Sequence, residues 1–355
     1  MTEAQSCPND KTQYQPCPPV LFFWFALIAI SLTTLLSGCN TPKPFNGEPV
    51  QLDVSDGQWQ TLQPENITAI YGIGLSYAEH IVETGRTWDP DTPAPVFKKS
   101  LNSLNTGQTI VYPDRASFLT MAETVEPGLA RVLEERFPYI NPLLDYEVEL
   151  GMVLLEPFDR SRINDSNYLP RLGFVLAADI TARSFMVLGE DKPNQSEYWG
   201  AAKSFPGFSA VGSKMWIPSA FSNETVVNVS LETWVNGKQR QNGNTSDRVY
   251  SAKEMIEFIA AQYPGDPLHA GTVIMTGTPP GVAFRVPGWK RALAKMLGLN
   301  RFTLLGMVIE ANDNNPDFLM PGDIIGFNVG QYDSLNYKVV GQSAAEEITG
   351  STGSN

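Results

Sequence analysis

The sequence predicts an α+β domain that is predominantly β-structure. Residues 146–154 are mostly bulky or β-branched, which is typical of a strand, and residues 67–74 suggest a buried strand that ends in a glycine turn. Asn236-Gly237 lies between a strand-like run and polar residues, which is a strong indication of a β-hairpin. Together these stretches predict a sheet-based core with helices added to it.

Length and composition limit the class of protein. The chain has 355 residues, of which 42% are hydrophobic, and this suits one large domain or two smaller ones. Its net charge of −13 argues against nucleic acid and against anionic membranes as electrostatic partners of the whole chain. All three cysteines lie within the first 39 residues, so the remainder can form neither a disulfide nor a thiolate metal site.

The N-terminal region suggests export and anchoring. An apolar run at residues 20–36 is slightly short for a spanning helix, which needs about 20 residues, and suits a signal peptide. Leu36-Ser37-Gly38-Cys39 follows and resembles the lipobox of bacterial lipoproteins, in which the cysteine is lipidated. We therefore expect a membrane-anchored lipoprotein on the periplasmic or cell-surface side. An uncleaved membrane helix is the alternative.

Four segments follow from this division of the chain. We expect a signal segment at 1–38, a polar tether at 39–66, a folded domain at 67–345 and a flexible tail at 346–355. Only the third segment has the hydrophobic patterning that a core requires.

A short helix is expected after the strand at 67–74. Ser76 and Glu79 have the spacing of a capping box, and Gly85 is a suitable C-terminal stop. His80 and Glu83 lie three positions apart and therefore share one face of this helix. Such a pair can activate a water molecule, because the carboxylate orients and charges the imidazole. On these two residues alone, a surface ion pair is the alternative.

A metal site is predicted on the strand at 146–154. Side chains alternate along a strand, so Glu147 and Glu149 point to the same side, about 7 Å apart at their Cα atoms. Asp179 ends another apolar strand, where a carboxylate is solvated, caps the chain or coordinates an ion. Two carboxylates on one side of a strand suit Mg²⁺, with Mn²⁺ or Ca²⁺ as alternatives. For Glu-x-Glu alone, a solvated strand face is the competing interpretation.

Seven segments resemble, in the same order, those of the fumarylacetoacetate hydrolase family. They lie at residues 74–83, 95–100, 147–149, 173–183, 199–205, 235–247 and 274–282. The chain departs from the family pattern at Ser76, Ser100, Ser184, Met186 and Pro206. The changes at Ser184 and Met186 suggest that a polar contact to the substrate is replaced by an apolar one.

The resemblance implies a mixed β-sandwich roll of the family's C-terminal domain type, and a homodimer. It implies residue roles as follows: metal ligands Glu147, Glu149 and Asp179; catalytic residues His80, Glu83 and Lys203; substrate-binding residues Arg183, Thr278 and Gln241. The implied activity is metal-dependent hydrolysis of a carbon–carbon bond in a β-diketo or acylpyruvate-type acid. An isomerase or decarboxylase of a related 2-keto acid, and a non-catalytic ligand-binding lipoprotein, are the alternatives.

Three stretches look like insertions into the family pattern, at about residues 115–140, 157–170 and 284–316. The last contains an amphipathic basic helix at residues 289–297. We interpret it as a helix that covers a sheet edge. A membrane-facing or lid role is the alternative.

Overall fold

The structure is a computed structural model. It describes residues 42–343 except Val54, Thr87, Pro90 and Asp191. The predicted signal segment at 1–38, the proposed lipidation site Cys39 and the predicted tail at 346–355 lie outside these residues. Within the described residues, no helix combines the length and the apolar character needed to cross a membrane.

Strands make up most of the regular structure. In chain order they are β1 (Glu48–Gln51), β2 (Gly57–Thr61), β3 (Ala69–Ile73), β4 (Val96–Lys99), β5 (Leu104–Asn105), β6 (Thr109–Tyr112), β7 (Leu144–Asp145), β8 (Val148–Leu154), β9 (Leu172–Asp179), β10 (Thr181–Ala182), β11 (Ser209–Val211), β12 (Lys214–Pro218), β13 (Thr225–Asn228), β14 (Ser230–Val235), β15 (Lys238–Asn244), β16 (Thr272–Met275), β17 (Ile324–Val329) and β18 (Asp333–Gly341).

The α-helices lie mainly between these strands. They are α1 (Ala78–Glu83), α2 (Arg115–Val125), α3 (Leu129–Arg136), α4 (Arg183–Leu188), α5 (Gln195–Ala202), α6 (Ala252–Gln262), α7 (Gly288–Met296) and α8 (Arg301–Asn312). Short 3₁₀ turns occur at Pro64–Asn66, Leu101–Ser103, Arg160–Arg162 and Thr245–Asp247. Four of the helices, α2, α3, α7 and α8, lie in two of the stretches that the sequence marks as insertions.

Two sheets form the core. The larger has the strand order β2-β12-β9-β8-β16-β3-β4, with β11 joining β9 to β5, and the smaller has the order β15-β14-β17-β18-β6. Strands β14, β17 and β18 of the smaller sheet pack against β8 and β9 of the larger one. The predicted α+β domain, with β-structure predominant and two layered sheets, is confirmed.

Strand β8 occupies the centre of this arrangement. All seven of its residues are buried, so its sequence is almost continuously apolar instead of alternating. It pairs antiparallel with β9 along its whole length, from Val148 opposite Ala178 to Leu154 opposite Leu172. A strand held this firmly on both sides is a rigid support for side chains at its end.

Two local features agree with the sequence. Asn236 and Gly237 both have positive φ, +50° and +76°, and connect β14 to β15 in the predicted hairpin. Gly85 has φ +64° just after α1, as expected for a C-terminal stop.

Three expectations are wrong. The tether at 39–66 contains strands, because β2 pairs with β12 at an edge where exposed side chains keep the sequence polar. The capping box is absent: Tyr77 is the N-cap of α1 without a side-chain cap, and the Ser76 hydroxyl donates to Thr276 O at 2.5 Å instead. Helix α7 does not bury its apolar face against a sheet edge, since Trp289 and Met296 are exposed.

Candidate metal and catalytic site

The ends of β8 and β9 bring three carboxylates together. Glu147 immediately precedes β8, Glu149 is its second residue and Asp179 is the last residue of β9. The Asp179 amide donates to Glu147 O at 2.9 Å, which fixes the two chain ends side by side. Carboxylate oxygens of all three residues lie within 4.8 Å of one another, and all three side chains are buried. The structure therefore assembles the predicted ligand set.

Three buried cations surround this cluster. Lys203 donates to Glu147 and, at 2.8 Å, to Asp179, while Lys99 donates to the other oxygen of Asp179 at 2.5 Å. The Arg183 guanidinium reaches Glu147 at 2.5 Å through Nη2 and Asp145 at 2.7 Å through Nε. These contacts satisfy carboxylates that would otherwise repel one another in a low-dielectric interior.

Glu149 differs from the other carboxylates of the cluster in its partners. Among the described residues it forms no ion pair with a lysine or arginine, whereas Asp145, Glu147 and Asp179 each do. It accepts a hydrogen bond from Gly277 N at 2.6 Å, and the buried Arg248 guanidinium interacts with it electrostatically. The predicted metal ligand without a direct cation partner is therefore Glu149.

The pKa values of Glu149 and Glu147 reflect their different partners. Burial, reinforced by the neighbouring charges of Asp179 and Glu147, raises the pKa of Glu149 well above its ordinary value. Burial also acts to raise the pKa of Glu147, but Lys203 and Arg183 outweigh it and hold that pKa at about 2. The pKa values of these two glutamates, which are two positions apart, are thus shifted in opposite directions by their partners.

The two lysines also differ. Burial lowers the pKa of Lys99, and the attraction of Asp179 only partly offsets this. For Lys203 burial acts in the same direction, but Asp179 and Glu147 together raise the pKa above its ordinary value. Lys203, whose Nζ also donates to the Thr181 hydroxyl at 2.9 Å, is the more firmly charged of the two.

The predicted dyad is present on α1. His80 Nδ1 and Glu83 Oε2 are 3.3 Å apart, and His80 is buried. Glu83 also accepts from Gly281 N at 3.1 Å and contacts Arg285 Nε at 3.1 Å. Burial acts to raise the pKa of Glu83, but hydrogen bonds from His80 and Gly281 outweigh it and lower the pKa.

One loop, residues 276–281, connects the dyad to the carboxylate cluster. Gly277 donates to Glu149 at its start, and Gly281 donates to Glu83 at its end. Gly277 has φ +86°, and a Cβ there would lie 2.0 Å from Ser76 Oγ, so only glycine fits. The loop therefore sets the position of α1 relative to the carboxylates.

The comparison with family models decides the classification. The model described as fumarylacetoacetate (FAA) hydrolase C-terminal matches residues 69–340, which includes every residue of the site described above. The chain belongs to the fumarylacetoacetate hydrolase family.

Members of this family with different activities are similar to the chain. A 2,4-didehydro-3-deoxy-L-rhamnonate hydrolase of Sphingomonas sp. is 27% identical over 222 residues, 61% of this chain and 63% of that protein. An oxaloacetate tautomerase of Bacillus subtilis is 29% identical over 219 residues, 62% of this chain and 61% of that protein. The chain thus spans less than two thirds of the length of these curated relatives.

A solved structure of the family contains a metal. The fumarylpyruvate hydrolase of Pseudomonas aeruginosa, in complex with Mn²⁺ and pyruvate, is 16% identical, with a TM-score of 0.48 over 78% of this chain and 91% of that one. In the present chain, three clustered carboxylates, one of them without an ion pair among the described residues, fit a divalent cation.

The three side chains predicted to bind the substrate already form ion pairs or hydrogen bonds within the protein. Arg183 is held between Asp145 and Glu147. Gln241 accepts from Val148 N at 3.0 Å and donates to Thr278 Oγ1 at 2.8 Å, and the Thr278 hydroxyl donates to Val148 O at 2.9 Å. In this arrangement the three side chains fix the start of β8, which carries the metal ligands.

Sequence reasoning did not single out two residues of the site. Lys99 lies within the segment 95–100 that resembles the family pattern, so its position in that segment could have identified it. Asp145 accepts from Ala283 N at 2.8 Å and from Phe284 N at 3.1 Å in addition to Arg183. Apart from the adjacent Tyr146 amide, these partners lie 38 or more positions away along the chain, so no local spacing signals this role.

Proposed function

We propose that the protein is a divalent-metal-dependent hydrolase that cleaves a carbon–carbon bond in a β-diketo or acylpyruvate-type acid. The observation that carries this proposal is that one loop contacts both the carboxylate cluster and the dyad. The buried cluster of Glu147, Glu149 and Asp179 and the His80–Glu83 dyad are both contacted by residues 276–281. These shared contacts support a site in which a carboxylate ligand set acts together with a general base.

Glu147, Glu149 and Asp179 would hold the ion, with Mg²⁺ as our first choice and Mn²⁺ as the alternative. A bound divalent ion supplies Lewis acidity to neighbouring oxygens of a substrate. Lys99 and Arg183 bind Asp179 and Glu147 and hold them in place, so the ligand set is preorganised.

The dyad performs the proton transfers in this proposal. His80 takes a proton from water through Nε2 while Glu83 holds Nδ1, and the oxygen of that water attacks the carbonyl carbon. The bond between this carbon and the neighbouring methylene carbon then breaks, which gives a carboxylic acid and an enolate. The enolate takes up a proton to form the 2-keto acid. The Lys203 ammonium is placed to stabilise developing negative charge near the carboxylates.

Tautomerisation or isomerisation of a related 2-keto acid is the second candidate. It is favoured by the similarity to the oxaloacetate tautomerase, because an enolate is common to both reactions and only the attacking water is absent from one. Two buried lysines beside the cluster supply ammonium groups that can stabilise an enolate in either case.

An ultraviolet assay of a panel of acylpyruvates, with and without EDTA, tests the proposal. Steady, EDTA-sensitive loss of the diketone absorbance with release of a carboxylic acid is expected. Loss of absorbance without that acid would indicate tautomerisation. A stoichiometric change that stops after one equivalent would indicate a binding protein and contradict both candidates.

We also propose that the chain is anchored to a membrane through Cys39, on the basis of Leu36-Ser37-Gly38-Cys39. Cys39→Ser is expected to release the protein from the membrane fraction or to block its processing. An unchanged membrane pool of unchanged mass would support an uncleaved helix at residues 20–36 instead.

A further inference from the structure

Helix α7 presents an apolar face to solvent. Trp289 is 66% exposed, Leu293 41%, Met296 75% and the following Leu297 59%. These positions have the spacing i, i+4, i+7 and i+8, so they lie on one side of the helix. Such an exposed apolar face indicates a surface that binds a membrane or another molecule.

The helix is also basic in an acidic protein. Its sequence, GWKRALAKM, contains three basic residues and no acidic ones, whereas the chain as a whole has a net charge of −13. An apolar stripe accompanied by lysine and arginine is the pattern of helices that lie in the interface of an anionic membrane.

The position of α7 relates this surface to the dyad. A Cβ on Gly85, two residues after α1, would lie 2.6 Å from the backbone nitrogen of Gly288, so the start of α7 lies against the end of α1. Val82, on α1 itself, is 64% exposed. Arg285, just before α7, contacts Glu83 of the dyad. The apolar surface therefore adjoins the segment that carries His80 and Glu83.

We propose that α7 docks the protein on a membrane surface that contains anionic lipid. Trp289, Leu293 and Met296 enter the boundary between headgroups and acyl chains, and the positive charge in the sequence of the helix complements the anionic headgroups. This contact is additional to the proposed anchor at Cys39 and turns the dyad end of the domain towards the bilayer.

Charge decides between a lipid surface and a second copy of the chain. A two-fold contact between two α7 helices would bring the same basic residues together, which is unfavourable. Anionic lipid complements those residues. The negative charge of the rest of the protein is screened beyond about 8 Å at physiological salt, so the contact depends on the local charge of the helix.

Site-specific fluorescence tests the proposal in the full-length chain. Cys7, Cys17 and Cys39 are replaced by serine, and a single cysteine is introduced by Met296→Cys and labelled with an environment-sensitive dye. Vesicles of phosphatidylcholine with phosphatidylglycerol are expected to raise the emission at least about twofold, because the probe leaves water. Ile324→Cys, which is also exposed in the native chain, is the matched control and should not respond.

A second variant tests the role of charge. Lys290→Glu with Lys295→Glu, added to the labelled chain, is expected to weaken partitioning about tenfold or more, since each basic residue near an anionic surface contributes favourably. An unchanged response in this variant would overturn the proposal, because the positive charge of the helix would then play no part in the binding. An equal response to pure phosphatidylcholine, no response at position 296, or a vesicle-free response that grows with protein concentration would also overturn it, the last in favour of a second copy.

Discussion

The carboxylate cluster and the dyad are neighbours that are built in different ways. Glu147, Glu149 and Asp179 sit at the ends of central strands, buried, and each is bonded to a cation or to backbone N–H. His80 and Glu83 lie on a six-residue helix, where Arg285, 59% exposed at its side chain, is one of the partners of Glu83. The charges of the cluster thus form part of the folded core, whereas the dyad is attached to its edge.

In the carboxylate cluster, a substitution that changes the proposed chemistry should also change the stability of the fold. In the dyad, the two properties should be easier to change separately. A change of charge in the cluster alters the energy of the buried network itself, because its ionised groups are removed from water. A change in the dyad removes a proton acceptor but leaves that network intact. Four predictions test the distinction.

The largest effect on activity is expected for Glu149→Gln. The variant should lose most bound metal and most turnover, because one ligand of three is removed. Its metal-free form should nevertheless be more stable than the wild type, since the substitution removes the charge that burial and Asp179 disfavour. Elemental analysis and urea unfolding of both proteins check this. Equal metal content per chain would contradict the assignment of this strand.

His80→Ala should reduce kcat by about 10²- to 10⁴-fold, the usual contribution of a general base, which is roughly 3–5 kcal/mol of barrier. Metal content and ligand affinity should stay near wild-type values, and the unfolding free energy should fall by about 0.5–3 kcal/mol because a buried side chain is truncated. Glu83→Gln should lose less, because the imidazole remains but is held less well. Wild-type turnover in His80→Ala would remove the dyad from the mechanism and make Lys203 the next candidate.

Glu147→Gln should be destabilising, in contrast to Glu149→Gln. Lys203 and Arg183 lower its pKa against the effect of burial, so the native fold favours the ionised carboxylate. A neutral amide should therefore reduce the free energy of unfolding by about 3–5 kcal/mol, the usual cost of breaking a buried ion pair. Lys203 and Arg183 would each lose a partner. Urea unfolding of the metal-free proteins measures the difference. Equal stability of the two glutamine variants would show that the cations do not distinguish the carboxylates.

The smallest effect is a pH dependence of the metal-free protein. A raised carboxyl pKa contributes stability that is fully present below the unfolded pKa and is lost as pH rises through the folded value. Glu149 should therefore make the metal-free protein less stable from mildly acidic towards alkaline pH, by at most about 1.4 kcal/mol per pH unit. Thermal unfolding with and without Mg²⁺ should show that the ion removes this loss. Glu149→Gln should have a flatter profile, and a slope equal to that of wild type would assign it to another group.

Local spacing was enough to predict which candidate site residues share a face, but not which residues hold them in place. Glu147 and Glu149 are two positions apart and His80 and Glu83 three, so strand and helix periodicity place each pair on one face. The contact of Lys99 with Asp179 joins residues 80 positions apart, and only the folded sheet shows it. The same limit explains the capping error, since Ser76 bonds to Thr276 in place of the local amide.

The fold class was predictable because it depends on whole segments instead of single contacts. Buried strands such as β8 are apolar throughout, and the Asn236-Gly237 turn fixes a hairpin without reference to the rest of the molecule. Strand β2 was missed because it lies at an edge, where mostly exposed side chains leave it polar. Exposure of the apolar face of α7 was equally inaccessible, since amphipathic spacing does not reveal which side faces the protein.

The parallel pairing of β3 with β16 has a consequence for how the protein is made. Thr272 is paired with Ala69, and the Ser76–Thr276 bond spans 200 positions, so these contacts of the dyad segment form only after about three quarters of the chain has been synthesised. Closing so long a loop adds little to the equilibrium cost, which grows with the logarithm of length, but non-local pairing slows folding. One edge of β3, next to the predicted dyad, therefore stays unpaired until β16 has emerged.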